Sequence, residues 1–160
     1  QSVELRNYQI ADDVLSQSKA KGELKASMLY WNETKRQFGE SVEDRIHYSG
    51  RLGNTVPNVG GDEASPKTFN RTLQILHKRG LAHNIDLICG GQEHRFVYNG
   101  QPSKHASTAT VTVQLYDQDK VNVTEGGEKK LSEVDYVCDD VSENTDLYNV
   151  VEVRITVWRM

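Results

Sequence analysis

The cleanest alternation in the chain lies near its end. Val151, Val153, Ile155 and Val157 take every second position, with Glu152, Arg154, Thr156 and Trp158 between them. A strand turns successive side chains to opposite faces, so this pattern predicts a strand with one dry side. Residues 108–116 alternate the same way, Val111, Val113 and Leu115 against Thr110, Thr112 and Gln114. Residues 84–89 form a third expected strand, with Ile85, Leu87 and Cys89 on one face and Gly90-Gly91 ending it. Residues 95–98 are a fourth, closed by the turn pair Asn99-Gly100. Shorter segments at 3–10 and 45–48 also read as strands.

Helical spacing occupies the first half. Asp12 and Asp13 suit a helix start, where carboxylates meet the positive end of the dipole. Leu24, Met28 and Trp31 repeat at helical intervals, and Phe38 lies one heptad further on. Gly22 divides this stretch into two helices. The best-marked helix follows Ser65, a good N-cap, with Pro66 in the first helical position. Phe69, Leu73 and Leu76 form its apolar stripe, His77, Lys78 and Arg79 its basic end, and Gly80 its stop. Leu81 is expected to pack back on the helix end. Residues 50–64 hold Gly53, Pro57, Gly60 and Gly61 and almost no periodicity, so they read as a loop. The order of elements predicts an α+β fold: a mixed β-sheet with two or three helices packed mainly on one face, in a single domain spanning 1–160.

Composition narrows the function class. The chain has 160 residues and a net charge of −4, with basic residues scattered among acids. A nucleic-acid binder concentrates basic charge on one face, so no nucleic-acid partner is expected. No apolar run is long enough for a membrane span, and no apolar leader opens the chain. Gln1 stands where a nascent chain has Met, which points to a processed or truncated product. Cys89 and Cys138 both lie in apolar surroundings. They fit one disulfide in an oxidising compartment or two buried thiols in a reducing one. Three N-x-[ST] sequons, at Asn32, Asn70 and Asn122, add a mild glycoprotein signal, with Asn70 falling inside the expected helix.

Catalytic and metal chemistry finds no motif. Gly60-Gly61-Asp62-Glu63 resembles the signature of diguanylate cyclases, but Ala64-Ser65-Pro66 then opens a helix instead of a hairpin. His47, His77, His83, His94 and His105 show no zinc-ligand spacing. Asp139, Asp140, Glu143 and Asp146 offer clustered oxygens for a hard cation but lack the order of an EF-hand, so a solvated loop is expected. No catalytic residue, metal site or cofactor is assigned. Trp31, Tyr30 and Trp158 are candidate contact aromatics, since aromatics are enriched at interfaces.

The segment from Ser65 to Gly80, with Ile85 to Glu93 after it, resembles the helix–strand core of OmpA-like peptidoglycan-associated domains. Residues 46–50 and 149–155 match further pieces, and together these cover about a third of the chain. The resemblance implies an envelope domain. Thr68 and Phe69 replace that family's Arg and Ala, and its Thr-Asp pair is absent from residues 48–51. The family's ligand is therefore carried over to no position here.

These readings converge on a non-catalytic binding or assembly module of the bacterial cell envelope or extracellular space, periplasmic or secreted. Its expected partner is an envelope protein or cell-wall component. The expected contact residues are Arg51 and Asn54 in the 50–64 loop, with Trp31 and Tyr30. One alternative is a small enzyme with a site drawn from His94, Asp86 and Glu93 around the Gly90-Gly91 turn. Another is a secreted glycoprotein.

Overall fold

The computed structural model describes residues 3–30, 66–123, 127–133, 136–142 and 144–160. Three helices come first: α1 (Val3–Ala20), α2 (Glu23–Tyr30) and α3 (Pro66–Lys78). Strands β1 (Leu81–Cys89), β2 (Gln92–Val97) and β3 (Ser107–Tyr116) follow. A two-stranded ribbon, β4 (Lys120–Val123) and β5 (Gly127–Lys130), leads into a 3₁₀ turn at Leu131–Glu133, and β6 (Leu147–Arg159) comes last. The main sheet has the order β2-β1-β6-β3.

The fold is α+β, as the alternation predicts. Every pair in the sheet is antiparallel rather than mixed. A parallel pair needs a long crossover, usually a helix, between its strands. The helices among the described residues all precede β1, so none of them is available for that connection.

Register places the apolar set on one face. Ile85 lies opposite Ile155, Leu87 opposite Val153, and Ala109 also opposite Ile155. Val151, Val153, Ile155 and Val157 are all fully buried. The helices cover this face: α1 lies against β3 and β6, and α3 against β1. Phe69 of α3 stacks on Phe96 of β2, ring centroids 6.3 Å apart. Phe96 is the extra residue in a bulge between Ile85 and Asp86 of the partner strand, so it joins Val97 in the core.

Residues 3–10 are helix, not strand. Val3, Leu5 and Tyr8, apolar residues of this segment, are 46%, 45% and 42% exposed. The buried positions of α1 are Asn7, Ala11, Val14, Leu15 and Ser18. They sit at i, i+4, i+7, i+8 and i+11, a helical stripe. Two of its five members are polar, which hides the period from a reading of apolar residues alone.

α1 and α2 part at Lys21-Gly22, as expected. α3 begins at Pro66, buries Phe69, Leu73 and Leu76, and ends before Gly80. Gly80 has φ +74°, the left-handed conformation that a helix C-terminus favours, and its N–H donates to His77 O at 3.0 Å. Leu81, 1% exposed, is already the first residue of β1. Gly90 and Gly91 both have positive φ, the form of a two-residue hairpin turn that matches strand twist. Burial, reinforced by the His77 charge, pulls the His83 imidazole down to about 4 and keeps it neutral near pH 7.

Phe69 is 0% exposed and sits between α3 and the sheet. Phe69→Ala is expected to cost about 3–5 kcal/mol by urea denaturation. The exposed Ile75→Ala on the same helix is expected to cost about 0.5 kcal/mol or less.

Candidate interaction surface

The second face of the sheet carries the polar half of the alternation. Thr108, Thr110 and Thr112 of β3 stand exposed, with Gln114 beyond them and Glu152 of β6 opposite Thr112. In the middle of this face Arg154 reaches two carboxylates. Its Nη2 lies 2.7 Å from Glu93 Oε1 and 3.5 Å from Asp86 Oδ2. These three residues come from β6, β2 and β1, so the network ties three strands across one surface. Burial raises the Asp86 carboxyl above its ordinary range, and Arg154 pulls partly against it. Beside them the Arg95 guanidinium lies 3.9 Å over the Tyr98 ring.

The three residues considered for a small enzyme do not converge. Asp86 and Glu93 meet at Arg154 on the polar face. His94 lies opposite Leu87 in the β1–β2 register, and directly paired residues share a face. Leu87 is fully buried under the helices. His94 therefore belongs to the opposite side of the sheet.

The crossover from β2 to β3 is fastened by Asn84. Its Nδ2 donates to Gly100 O at 2.9 Å, and its Oδ1 accepts from Asn99 N–H at 2.7 Å. Trp158 shares the polar side in register, paired with Ala82, yet is only 7% exposed. It is a buried residue and not the exposed contact aromatic that alternation suggested. Tyr30 is the last residue of α2. Its side chain, like Trp31, Arg51, Asn54 and the whole 50–64 loop, lies outside the described residues, as do the segment 45–48 and Phe38.

At one end of the sheet, Cys89 and Cys138 form a disulfide with Cα atoms 5.8 Å apart. It joins the end of β1 to the segment that precedes β6. Two tyrosines complete the clamp. Tyr148 Oη donates to Cys138 O at 2.7 Å, and Tyr136 Oη donates to Met28 O of α2 at 2.9 Å. Their rings meet edge to face, 6.3 Å apart. Burial, with Tyr148 adding to it, pushes the Tyr136 phenol far up, so it stays a donor. Asn149 Nδ2 donates to Asp139 O, and Val141 N–H donates to Tyr148 O, each at 2.9 Å. Val141 is 61% exposed, and Val150 and Tyr116 are exposed as well.

Three acids gather at this end. Asp117, in the turn after β3, is raised above the usual carboxylate range by desolvation and by Asp140 and Asp146. Its Oδ1 is buried without a hydrogen-bond partner among the described residues. Asp117 was invisible to a search of the 139–146 segment because it comes from another turn. Glu143 lies outside the described residues. Among the described residues no group of three or more His, Cys, Asp or Glu is arranged to hold a metal ion. His105 pairs with Glu4 of α1 at 3.0 Å and His77 is exposed at the end of α3, while His47 lies outside the described residues.

The chain belongs to DUF7288, a family of unknown function whose model matches residues 1–157. No curated protein and no solved structure matches it. No helix among the described residues is long and apolar enough to cross a membrane.

The disulfide closes a loop with a sequence separation of 49. The double variant Cys89→Ala/Cys138→Ala is expected to lose about 4 kcal/mol by denaturant unfolding. For Asp117 the raised carboxyl means the folded state holds its proton more tightly than the unfolded state. Its contribution therefore turns unfavourable as pH rises upward from the ordinary carboxylate range. Asp117→Asn is expected to raise the neutral-pH Tm and flatten this part of the Tm–pH curve.

Proposed function

We propose that this domain is a non-catalytic binding or assembly module that works outside the cytoplasm, in the bacterial cell envelope or extracellular space. The observation that carries this reading is the Cys89–Cys138 disulfide, which is buried and braced by two tyrosine hydrogen bonds. Structural disulfides of this kind persist in oxidising compartments and are rare where thiols are kept reduced. The partner is an envelope protein or cell-wall component.

The contact surface has two parts. One is the polar sheet face around Thr108, Thr110, Thr112 and Glu152, rich in hydroxyls. The other is the set expected from the sequence, Arg51, Asn54, Trp31 and Tyr30, whose side chains lie outside the described residues. Strands held in register by β6 make the first part rigid, so binding there loses little conformational entropy.

Protein from its native source, denatured without reductant, is expected to take up no alkyl group, and two after reduction. Immediate alkylation of two thiols would remove the case for an oxidising compartment. For the surface, Thr110→Lys/Thr112→Lys is expected to lower co-fractionation with the envelope while leaving Tm within a few degrees of wild type. Unchanged co-fractionation would remove the sheet face from the contact surface.

A further inference from the structure

We propose that β3 is a homodimer interface, where two copies of this chain join their sheets by antiparallel β3–β3 pairing centred on Val111. It does not depend on the compartment in which the domain works. The main sheet has two edges, β2 and β3. An edge strand offers a row of N–H and C=O groups to any second strand. Monomers blunt such edges with short length, charge, Pro or bulges. β2 carries these devices: it has six residues, which include Glu93 and Arg95, and a bulge interrupts its pairing. β3 carries none of them. Its ten residues, Ser107–Tyr116, include no charge, no Pro and no Gly. Its register with β6 runs without a shift from Ser107 to Leu115, and the first irregularity comes between Leu115 and Tyr116. Among the described residues β3 pairs with β6 alone, and no other backbone hydrogen bond is made between Thr108 and Leu115.

Burial marks the same place. Ala109 and Val113 point inward and are 3% and 4% exposed. Val111 lies between them on the same face, yet is only partly buried against the core. Among the described residues the dry layer is thus open at the middle of β3, where a further strand would close it.

A second copy fits this edge because the strand is complementary to itself. The regular stretch from Ser107 to Leu115 has its midpoint at Val111. Antiparallel pairing about that midpoint sets Val111 against its own copy, Ala109 against Val113, and Thr110 against Thr112. Apolar residues then meet apolar ones under the helices, and hydroxyls meet hydroxyls on the polar face, pairs that stabilise a sheet. β3 has no charged side chain, so self-pairing carries no like-charge cost within the strand. α1 lies over β3 and β6, so the pair also brings α1 alongside its own copy. That adds to the area of one strand pair, which is small for a stable dimer. A two-fold axis closes the assembly at two chains, because β2, the other edge of each copy, is blunted.

The test is sedimentation equilibrium of the wild-type protein, disulfide intact, from low micromolar to near-millimolar concentration. The mass is expected to rise from one chain to two and no further. Thr110→Lys/Thr112→Lys, which sets Lys against Lys twice, is expected to weaken the dimer about tenfold or more. Val111→Cys is expected to cross-link to its own copy under mild oxidation. Directly opposed residues of an antiparallel pair lie about 4.5–5.5 Å apart, within disulfide reach. Thr108→Cys lies opposite Gln114 in that register, about 20 Å from its own copy, and is expected to stay uncross-linked. Cys89 and Cys138 are bonded to each other and contribute no thiol. A wild-type protein that stays monomeric throughout would overturn the proposal and leave the β3 edge to another partner. A dimer that the Lys variant leaves intact, or that cross-links through Thr108→Cys and not Val111→Cys, would overturn it as well. If Val111→Cys fails to fold, the wild-type mass and the Lys variant at exposed positions still decide the answer.

Discussion

The burial of one side of β6 is the constraint on which the other elements depend. β6 has 13 residues and lies between β1 and β3, so its backbone is paired along both edges. Its inward residues Val151, Val153, Ile155 and Val157 are fully buried. A slip of one residue would send all four to the opposite face and bring Glu152, Arg154 and Thr156 into the core. The same register therefore sets the position of the dry face and of the charge network around Arg154. The helices need only the dry face: α1 and α3 cover it, and Phe69 meets Phe96 there.

The Cys89–Cys138 bond extends this order past the end of the sheet. The chain between the ribbon and β6 is rich in acidic and polar residues, and among its described residues Leu131, Tyr136 and Cys138 are the buried apolar side chains. A segment of that composition does not order itself by hydrophobic collapse. The disulfide removes unfolded conformations, and the phenols of Tyr136 and Tyr148 satisfy backbone carbonyls of Met28 and Cys138. One consequence is electrostatic. Desolvation first, and the charges of Asp140 and Asp146 after it, raise the Asp117 carboxyl.

The polar sheet face and the acidic end have different characters as binding surfaces. On the sheet face one guanidinium pairs with two carboxylates, with a row of threonines beside them. Such a surface offers hydroxyl hydrogen bonds and little long-range steering. The acidic end offers negative charge together with exposed Val141, Val150 and Tyr116. A partner meeting both would need basic groups at one end and hydrogen-bonding groups along the other.

Much of the fold was legible in local pattern. The strands at 84–89, 108–116 and 151–158, the helix opened by Pro66 and closed at Gly80, and the strand end at Gly90-Gly91 all follow from periods of two or 3.6 and from backbone preferences of Pro and Gly. Those signals are local because they arise from alternation, capping and allowed φ. What escaped was whatever depended on distant residues. The helix at residues 3–20 carries Asn7 and Ser18 in its buried stripe, and only the sheet beneath it decides which of its faces is inside. Trp158 alternates as a surface residue yet is buried. The pairing of Cys89 with Cys138, left open by composition, required the ends of β1 and the 136–138 segment to come within 5.8 Å. Asp86, Glu93 and Arg154 read as scattered charges until antiparallel pairing set them side by side, and the same pairing moved His94 to the other face. By itself, then, the sequence determined the strands of the main sheet, the helix from Pro66, and the side those strands hide. The tertiary structure decided which residues meet across strands, because strand register and helix docking are set by the total apolar area buried and not by any segment alone.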